Sequence, residues 1–141
     1  MTVMLRNSRN PAAARLLIFL LRHKIPVLGR LWGIMLGCDI GCSLPAGIML
    51  PHPYGIVIHT KARLGKGVVV LHQVTIGARQ VDDRVPVIED AVFIGAGAKV
   101  LGGITVGHDS IIGANAVVTH DIPPGSTVIG INQIIKENPK K

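Results

Sequence analysis

The chain has 141 residues, 48% hydrophobic but only 3% aromatic, with 15 Lys and Arg against 8 Asp and Glu for a formal charge of +7. That length bounds it to one domain, so few aromatics argue against a conventional core built on Phe, Tyr and Trp, and the basic excess suits an acidic ligand, such as a phosphate-rich cofactor, or an anionic surface. No aromatic interleaving or binding motif accompanies the charge, which argues against nucleic acid; the two cysteines, Cys38 and Cys42, are too few for a disulfide framework and lack a second ligand pair for zinc, so both are expected reduced and packed in a cytoplasmic protein.

Residues 1–36 form a short helical N-terminal segment. Residues 1–10 read as a frayed basic start. From Pro11 to Leu36 the pattern predicts two short helices broken at Pro26, with Asn10 as N-cap and Pro11 in the first turn. The run from Leu16 to Leu21 is apolar all round, so it must be buried or meet lipid. It falls far short of the ~20 residues that span a bilayer. Arg15 interrupts the apolar region and no small-residue cleavage site follows, which argues against a signal peptide. The favoured reading packs this helix on the end of the fold or on a neighbouring subunit. The rival, suggested by flanking Arg15, Arg22, His23, Lys24 and Arg30, is an interfacial helix at an anionic membrane.

The stretch from Leu64 to Val118 repeats in sixes. Apolar residues lead each six: Leu64, Val70 and Ile76, then, after a gap of twelve, Ile88, Ile94, Val100, Val106, Ile112 and Val118. Small or apolar residues recur four positions on, at Val68, Val74, Val92, Ala98, Ile104, Ser110 and Ala116. Glycine follows the leading residue at Gly65, Gly77, Gly95, Gly107 and Gly113, where it is expected to turn corners with unusual backbone angles. A period this short predicts a solenoid. One coil alone buries almost nothing; the stack makes the core. Leu44, Leu50 and Ile56 keep the spacing in a frame two residues off, and the eight residues from Ile56 to Leu64 predict a two-residue bulge there.

This pattern resembles the hexapeptide acyltransferases, which fold as left-handed parallel β-helices. The resemblance covers residues 39–130 and implies a mainly β chain of about four coils, on three sixes per coil. Residues 37–131 are expected to be the β-helix and 132–141 a polar tail. The runs GIMLPHPYGIVI, VTIG, VFIGAGAKVLGGITVG and IIGANAVV resemble the serine O-acetyltransferases, and most of all short versions met near polysaccharide genes. That family moves acetyl from acetyl-CoA to the serine hydroxyl.

His52 is the candidate general base. An alcohol is a poor nucleophile at neutral pH, and a neutral imidazole within reach can take its proton as it attacks a thioester. The resemblance makes this histidine the base, oriented by an aspartate matching Asp39, thirteen residues upstream. A turn histidine between two prolines, and an aspartate capping the first coil, are the plain alternatives. Arg84, in the loop Asp83-Arg84-Val85-Pro86, matches the family's substrate-side arginine and has the geometry to hold a carboxylate bidentately; its alternative is a solvated loop charge. His72 is expected to border the substrate or simply to lie on an exposed face.

Two departures bear on the acceptor. The family carries aspartate before the catalytic histidine, where this chain has Pro51, and histidine after the loop arginine, where it has Val85. Those residues hold the amino acid, so serine is the default acceptor by resemblance and a sugar hydroxyl of surface polysaccharide its rival. A non-catalytic solenoid scaffold is the reading from another class.

The resemblance implies a homotrimer with CoA in a groove between subunits, against the corner residues Gly77, Ala78, Gly95, Ala96, Gly113 and Ala114. Every hexapeptide corner favours small residues, so these positions have a purely structural reading too. Lys99 lies near the cofactor or is a solvated lysine. A hexapeptide fold can also be a zinc carbonic anhydrase, but the His-x4-His pair of that family is missing, so no metal is expected. His120 to Gly125 is expected to end the coils, and the run STVIG to form the terminal strand. The C-terminal residues lack the isoleucine that docks the partner synthase, so no cysteine synthase complex is expected.

Overall fold

The computed structural model describes residues 10–23, 25–79 and 83–136. The repeating Ile, Val and Leu stack where their period places them, and the chain winds as a three-faced, left-handed parallel β-helix. Strand β1 (Asp39–Ile40) opens the first coil. β2 (Val57–Ile58), β3 (Arg63–Leu64) and β4 (Val69–Val70) make the second, and β5 (Thr75–Gly77), β6 (Val87–Ile88) and β7 (Phe93–Ile94) the third. The fourth holds β8 (Lys99–Leu101), β9 (Thr105–Val106) and β10 (Ile111–Ile112); β11 (Val117–Val118), β12 (Thr127–Ile129) and β13 (Gln133–Lys136) follow. Face A orders as β1-β2-β5-β8-β11, face B as β13-β12-β10-β7-β4 and face C as β3-β6-β9.

Face A therefore runs through five coils, with partial coils at both ends that the repeat count missed. Met49 bridges Val69 at one end and Ile122 bridges Val106 at the other. The proline turn after Ile122 does not end the winding, because β12 rejoins face B beyond it. Residues 133–136, expected within a polar tail, run back antiparallel to β12.

Each strand contributes one inward residue, and these form columns: Ile40, Ile58, Ile76, Val100 and Val118 under face A; Leu50, Val70, Ile94, Ile112 and Val128 under face B. Burying each such aliphatic side chain stabilises by ~1.5–3 kcal/mol. The second apolar series, from Ile56 through Ala116, fills the corners and is buried as well.

The glycines after the leading residues work differently from expectation. None has a positive φ. A Cβ at Gly65 would lie 2.5 Å from Asp90 N, and one at Gly95 2.6 Å from Ala114 N. Gly65, Gly95, Gly107 and Gly113 admit the backbone of the next coil rather than bend their own, whereas Gly77 has nothing within 4 Å. The left-handed conformation falls instead in two columns, Gly37, Gly55, Gln73, Gly97 and Asn115 before face A, and Gly47, Gly67, Ala91, Asp109 and Gly125 before face B, all with φ between 55 and 73°. The third edge, between faces A and C, has no such column among the described residues and releases the inserted loop.

The bulge also moves. Ile58 pairs with Ile76, so Ile58 leads its six and Ile56 belongs to the corner series. The two extra residues lie between Leu50 and Val57, in the turn that carries His52.

Helices α1 (Ala12–Arg22) and α2 (Pro26–Met35) cover the first coil. Ala14 and Leu17 enter the same core as the coils, which is the packing expected on the end of the fold. The Trp32 indole N–H donates to Ala13 O at 3.3 Å and joins the two helices. Asn10 is not the helix cap; Pro11 holds that position. The Asn10 amide instead donates to Ile48 O at 2.9 Å and accepts from Leu50 N–H at 2.7 Å, like a neighbouring strand. Among the described residues no helix is long and apolar enough to cross a membrane.

Candidate active site

His52 projects from the lengthened corner, exposed between the half-buried Pro51 and the buried Pro53. Three bonds fix this turn. The Cys38 thiol donates to Pro53 O at 3.1 Å, Gly55 N–H to Leu36 O at 3.0 Å, and Tyr54 N–H to His52 O at 2.8 Å. Cys38 was readable in sequence only as a packed thiol; here it anchors the residue next to the candidate base. Burial pushes its pKa up, partly offset by the backbone around Ile56 and Gly55. Burial likewise pushes the Cys42 thiol up to about 11. Both thiols are free.

The same edge stacks one residue per coil. Gln73 N–H donates to Tyr54 O at 2.8 Å, Gly97 N–H to His72 O at 2.9 Å and Asn115 N–H to Ala96 O at 2.8 Å, so Tyr54, His72, Ala96 and Ala114 lie in a row. The extra residues lift His52 out of this row and over His72, with ring centroids 5.9 Å apart and planes at 79°. His52, Tyr54, His72 and Gln73 line one cleft. Lys99 reaches its floor, donating from Nζ to Gln73 O at 2.7 Å. His72 Nδ1 is buried without a hydrogen-bond partner. The eighteen residues separating Tyr54 from His72 match one coil, the signal by which Tyr54 was findable.

The other candidates lie elsewhere on the chain. Asp39 stands on the outer side of face A, in register with Val57, and lines a separate cleft with His59, Thr60 and Gly77. Among the described residues no hydrogen bond joins it to His52. Arg84 lies across face A, on the edge towards face C, in a cleft with Lys61, Arg63 and Thr105. It rests on Gly103, where a Cβ would come within 3.1 Å of the Arg84 Cδ and Nε; sequence reading missed this glycine. Gly95, Ala96, Gly113 and Ala114 share the His72 edge, whereas Gly77 and Ala78 sit where face A gives way to the inserted loop. The chain thus divides the candidates between two edges. Two of the remaining histidines serve local turns: His59 Nδ1 accepts from Lys61 N–H at 3.1 Å, and His108 Nδ1 meets Asp109 Oδ2 at 3.0 Å. No group of three metal-ligating side chains occurs among the described residues.

Comparison with known proteins agrees with the repeat and its winding. The family "Bacterial transferase hexapeptide (six repeats)" matches residues 86–120. Serine acetyltransferase of Mycobacterium tuberculosis is 43% identical over 110 residues, which are 74% of this chain and 48% of that protein. That of Helicobacter pylori is 41% identical over 107 residues, 73% and 63% respectively. Among solved structures, Neisseria gonorrhoeae serine acetyltransferase superposes with a TM-score of 0.72 at 34% identity, covering 92% of this chain and 54% of that one. Brucella abortus serine acetyltransferase in complex with coenzyme A gives 0.68 at 30% identity, covering 92% and 55%. The chain spans about half the length of most of these relatives. By repeat and winding it belongs to the hexapeptide-repeat transferases. Within them, its sequence and coils are those of a serine acetyltransferase-like chain.

Proposed function

We propose that the chain is an acetyl-CoA-dependent O-acetyltransferase of the serine acetyltransferase type, with His52 as general base. The observation that carries this reading is the His52 turn: a corner lengthened by two residues lifts an exposed imidazole, with no side-chain hydrogen bond among the described residues, over a cleft at the edge of the coils. His52 takes the proton of the acceptor hydroxyl as its oxygen attacks the thioester carbonyl. The C–S bond then breaks, and the imidazolium returns the proton to the leaving thiolate, giving the acetyl ester and free CoA. Such a base contributes ~10²–10⁴ in rate.

The division of candidate residues between two edges supports a homotrimer, in which the His52 edge of one subunit faces the Arg84 loop edge of the next. Gly95, Ala96, Gly113 and Ala114 then meet CoA from one side and Gly77 and Ala78 from the other. Asp39 would orient the imidazole only after a shift of the turn. Free thiols and a CoA substrate fit a cytoplasmic setting.

Pro51 and Val85 favour a second acceptor. Neither side chain can hold an amino acid's charged groups, so a sugar hydroxyl competes with serine. The test is release of CoA thiol from acetyl-CoA with serine and then a panel of sugars, beside His52→Ala. Release with serine that vanishes in the variant establishes the serine enzyme; release with a sugar alone moves the acceptor; CoA release unchanged in His52→Ala removes His52 as base.

A further inference from the structure

The helical pair carries an unusual distribution of side chains. Helix α2 turns its smallest residues inward: a Cβ at Gly29 would lie 3.6 Å from Leu20 Cβ, and one at Gly33 3.0 Å from Cys38 O. Its large apolar residues face out. Val27, Leu28, Leu31, Ile34 and Met35 are 75, 55, 55, 67 and 71% exposed. At 100° per residue they form one stripe on the helix. Leu16 and Phe19 of α1 are exposed as well. A patch of this kind marks an interaction surface.

Charge identifies the occupant. Residues 1–38 hold six of the fifteen Lys and Arg and no acidic residue; Asp39 is the first in the chain. The rest of the chain holds nine basic against eight acidic residues. Six of the seven net positive charges therefore accompany the helices. Arg15 and Arg22 of α1 and Arg30 of α2 are exposed on the same helical pair. A second copy would bring the same positive charge to the contact, whereas an anionic surface with an apolar interior complements both features.

We infer that the outer face of α1 and α2 docks on an anionic lipid bilayer. The 10-residue α2 lies in the interface, since it reaches only ~15 Å and cannot cross a ~30 Å core. Leu31 and Ile34 enter the acyl boundary while Arg22 and Arg30 meet the headgroups.

The experiment floats the full chain with vesicles of phosphatidylcholine alone and of phosphatidylcholine with phosphatidylglycerol, at low and high salt. The expected result is flotation with the anionic vesicles only, weakened by salt, abolished in Leu31→Glu/Ile34→Glu and reduced more than tenfold in Arg22→Glu/Arg30→Glu. Emission from Trp32, the single tryptophan, verifies that each variant is folded. No flotation of the parent chain, or equal flotation with both vesicles, overturns the proposal. So does a smaller sedimentation coefficient in Leu31→Glu/Ile34→Glu, which would make the stripe a contact between copies. Flotation is read without acetyl transfer, so its failure is separable from failure of the proposed activity.

Discussion

The imidazole of His72 stands edge-on to that of His52, one coil away from it on the same edge. The two rings share a cleft, and an imidazole packed against an aromatic edge has fewer orientations than one in open water. His72→Phe keeps that edge and deletes the nitrogens; His72→Ala removes both. The expected outcome is near-parent acetyl transfer in His72→Phe and a loss of about tenfold in kcat for His72→Ala. Steady-state assays of both beside His52→Ala check it. A collapse in His72→Phe equal to that of His52→Ala would assign proton chemistry to His72.

Cys38 is expected to matter through the turn it holds. Cys38→Ala deletes the donor to Pro53 O and is expected to lower kcat severalfold with the fold intact. Cys38→Ser restores a donor and is expected to recover most of the loss. Failure of serine to rescue would show that the thiol only fills space.

Two corner substitutions are expected to act with opposite signs. Gly95→Ala forces a methyl group against Ala114 N and Gly113 C, which are backbone atoms with little room to yield. It is expected to destabilise by ~1–3 kcal/mol, the range for overpacking. Ala91 has a φ of 58°. Ala91→Gly relieves that strain, offset in part by unfolded-chain entropy, for a net gain of about 1 kcal/mol. Urea titration of both variants measures each shift.

Cys42 makes stability depend on alkaline pH. Its folded value near 11 lies above the ordinary 9.0, so the folded state holds the proton more tightly than the unfolded one. The contribution is complete below the unfolded value and fades as pH rises through the folded one. The urea midpoint of Cys42→Ala is therefore expected to fall less steeply than the parent's from pH 9 to 11. Parallel curves would show that this thiol does not titrate with unfolding.

The coils were legible because their period is a packing constraint: a residue every six positions must face inward, and Val70, Ile94 and Ile112 do. The two helices were legible from Pro26 and the apolar run beside it. What the period could not give was anything depending on contacts between coils. Gly95 reads in sequence as a bend, and only its distance to Ala114 shows that it is a gap for a neighbour. The bulge was misplaced because Ile56 satisfies the sixfold spacing equally well as a leading residue or as a corner residue; pairing of Ile58 with Ile76 decides it. His52 is a candidate through the resemblance of the run GIMLPHPYGIVI, and the fold adds its place on a lengthened corner. Cys38 and Tyr54 were not singled out, since one acts through a backbone carbonyl and the other through its place one coil below His72.

A parallel coil is a template for another copy of itself, and nothing within the repeat tells the stacking to stop. The reversal of β13 against β12 supplies that instruction on face B. An incoming coil meets there a strand of the opposite direction, so the parallel ladder that joins coil to coil is not continued on that face. The Asn10 amide does the same at the opposite end by occupying Leu50 N–H and Ile48 O. On face B one reversed strand and one side chain thus occupy the two terminal edges, and α1 and α2 cover the first coil beside them.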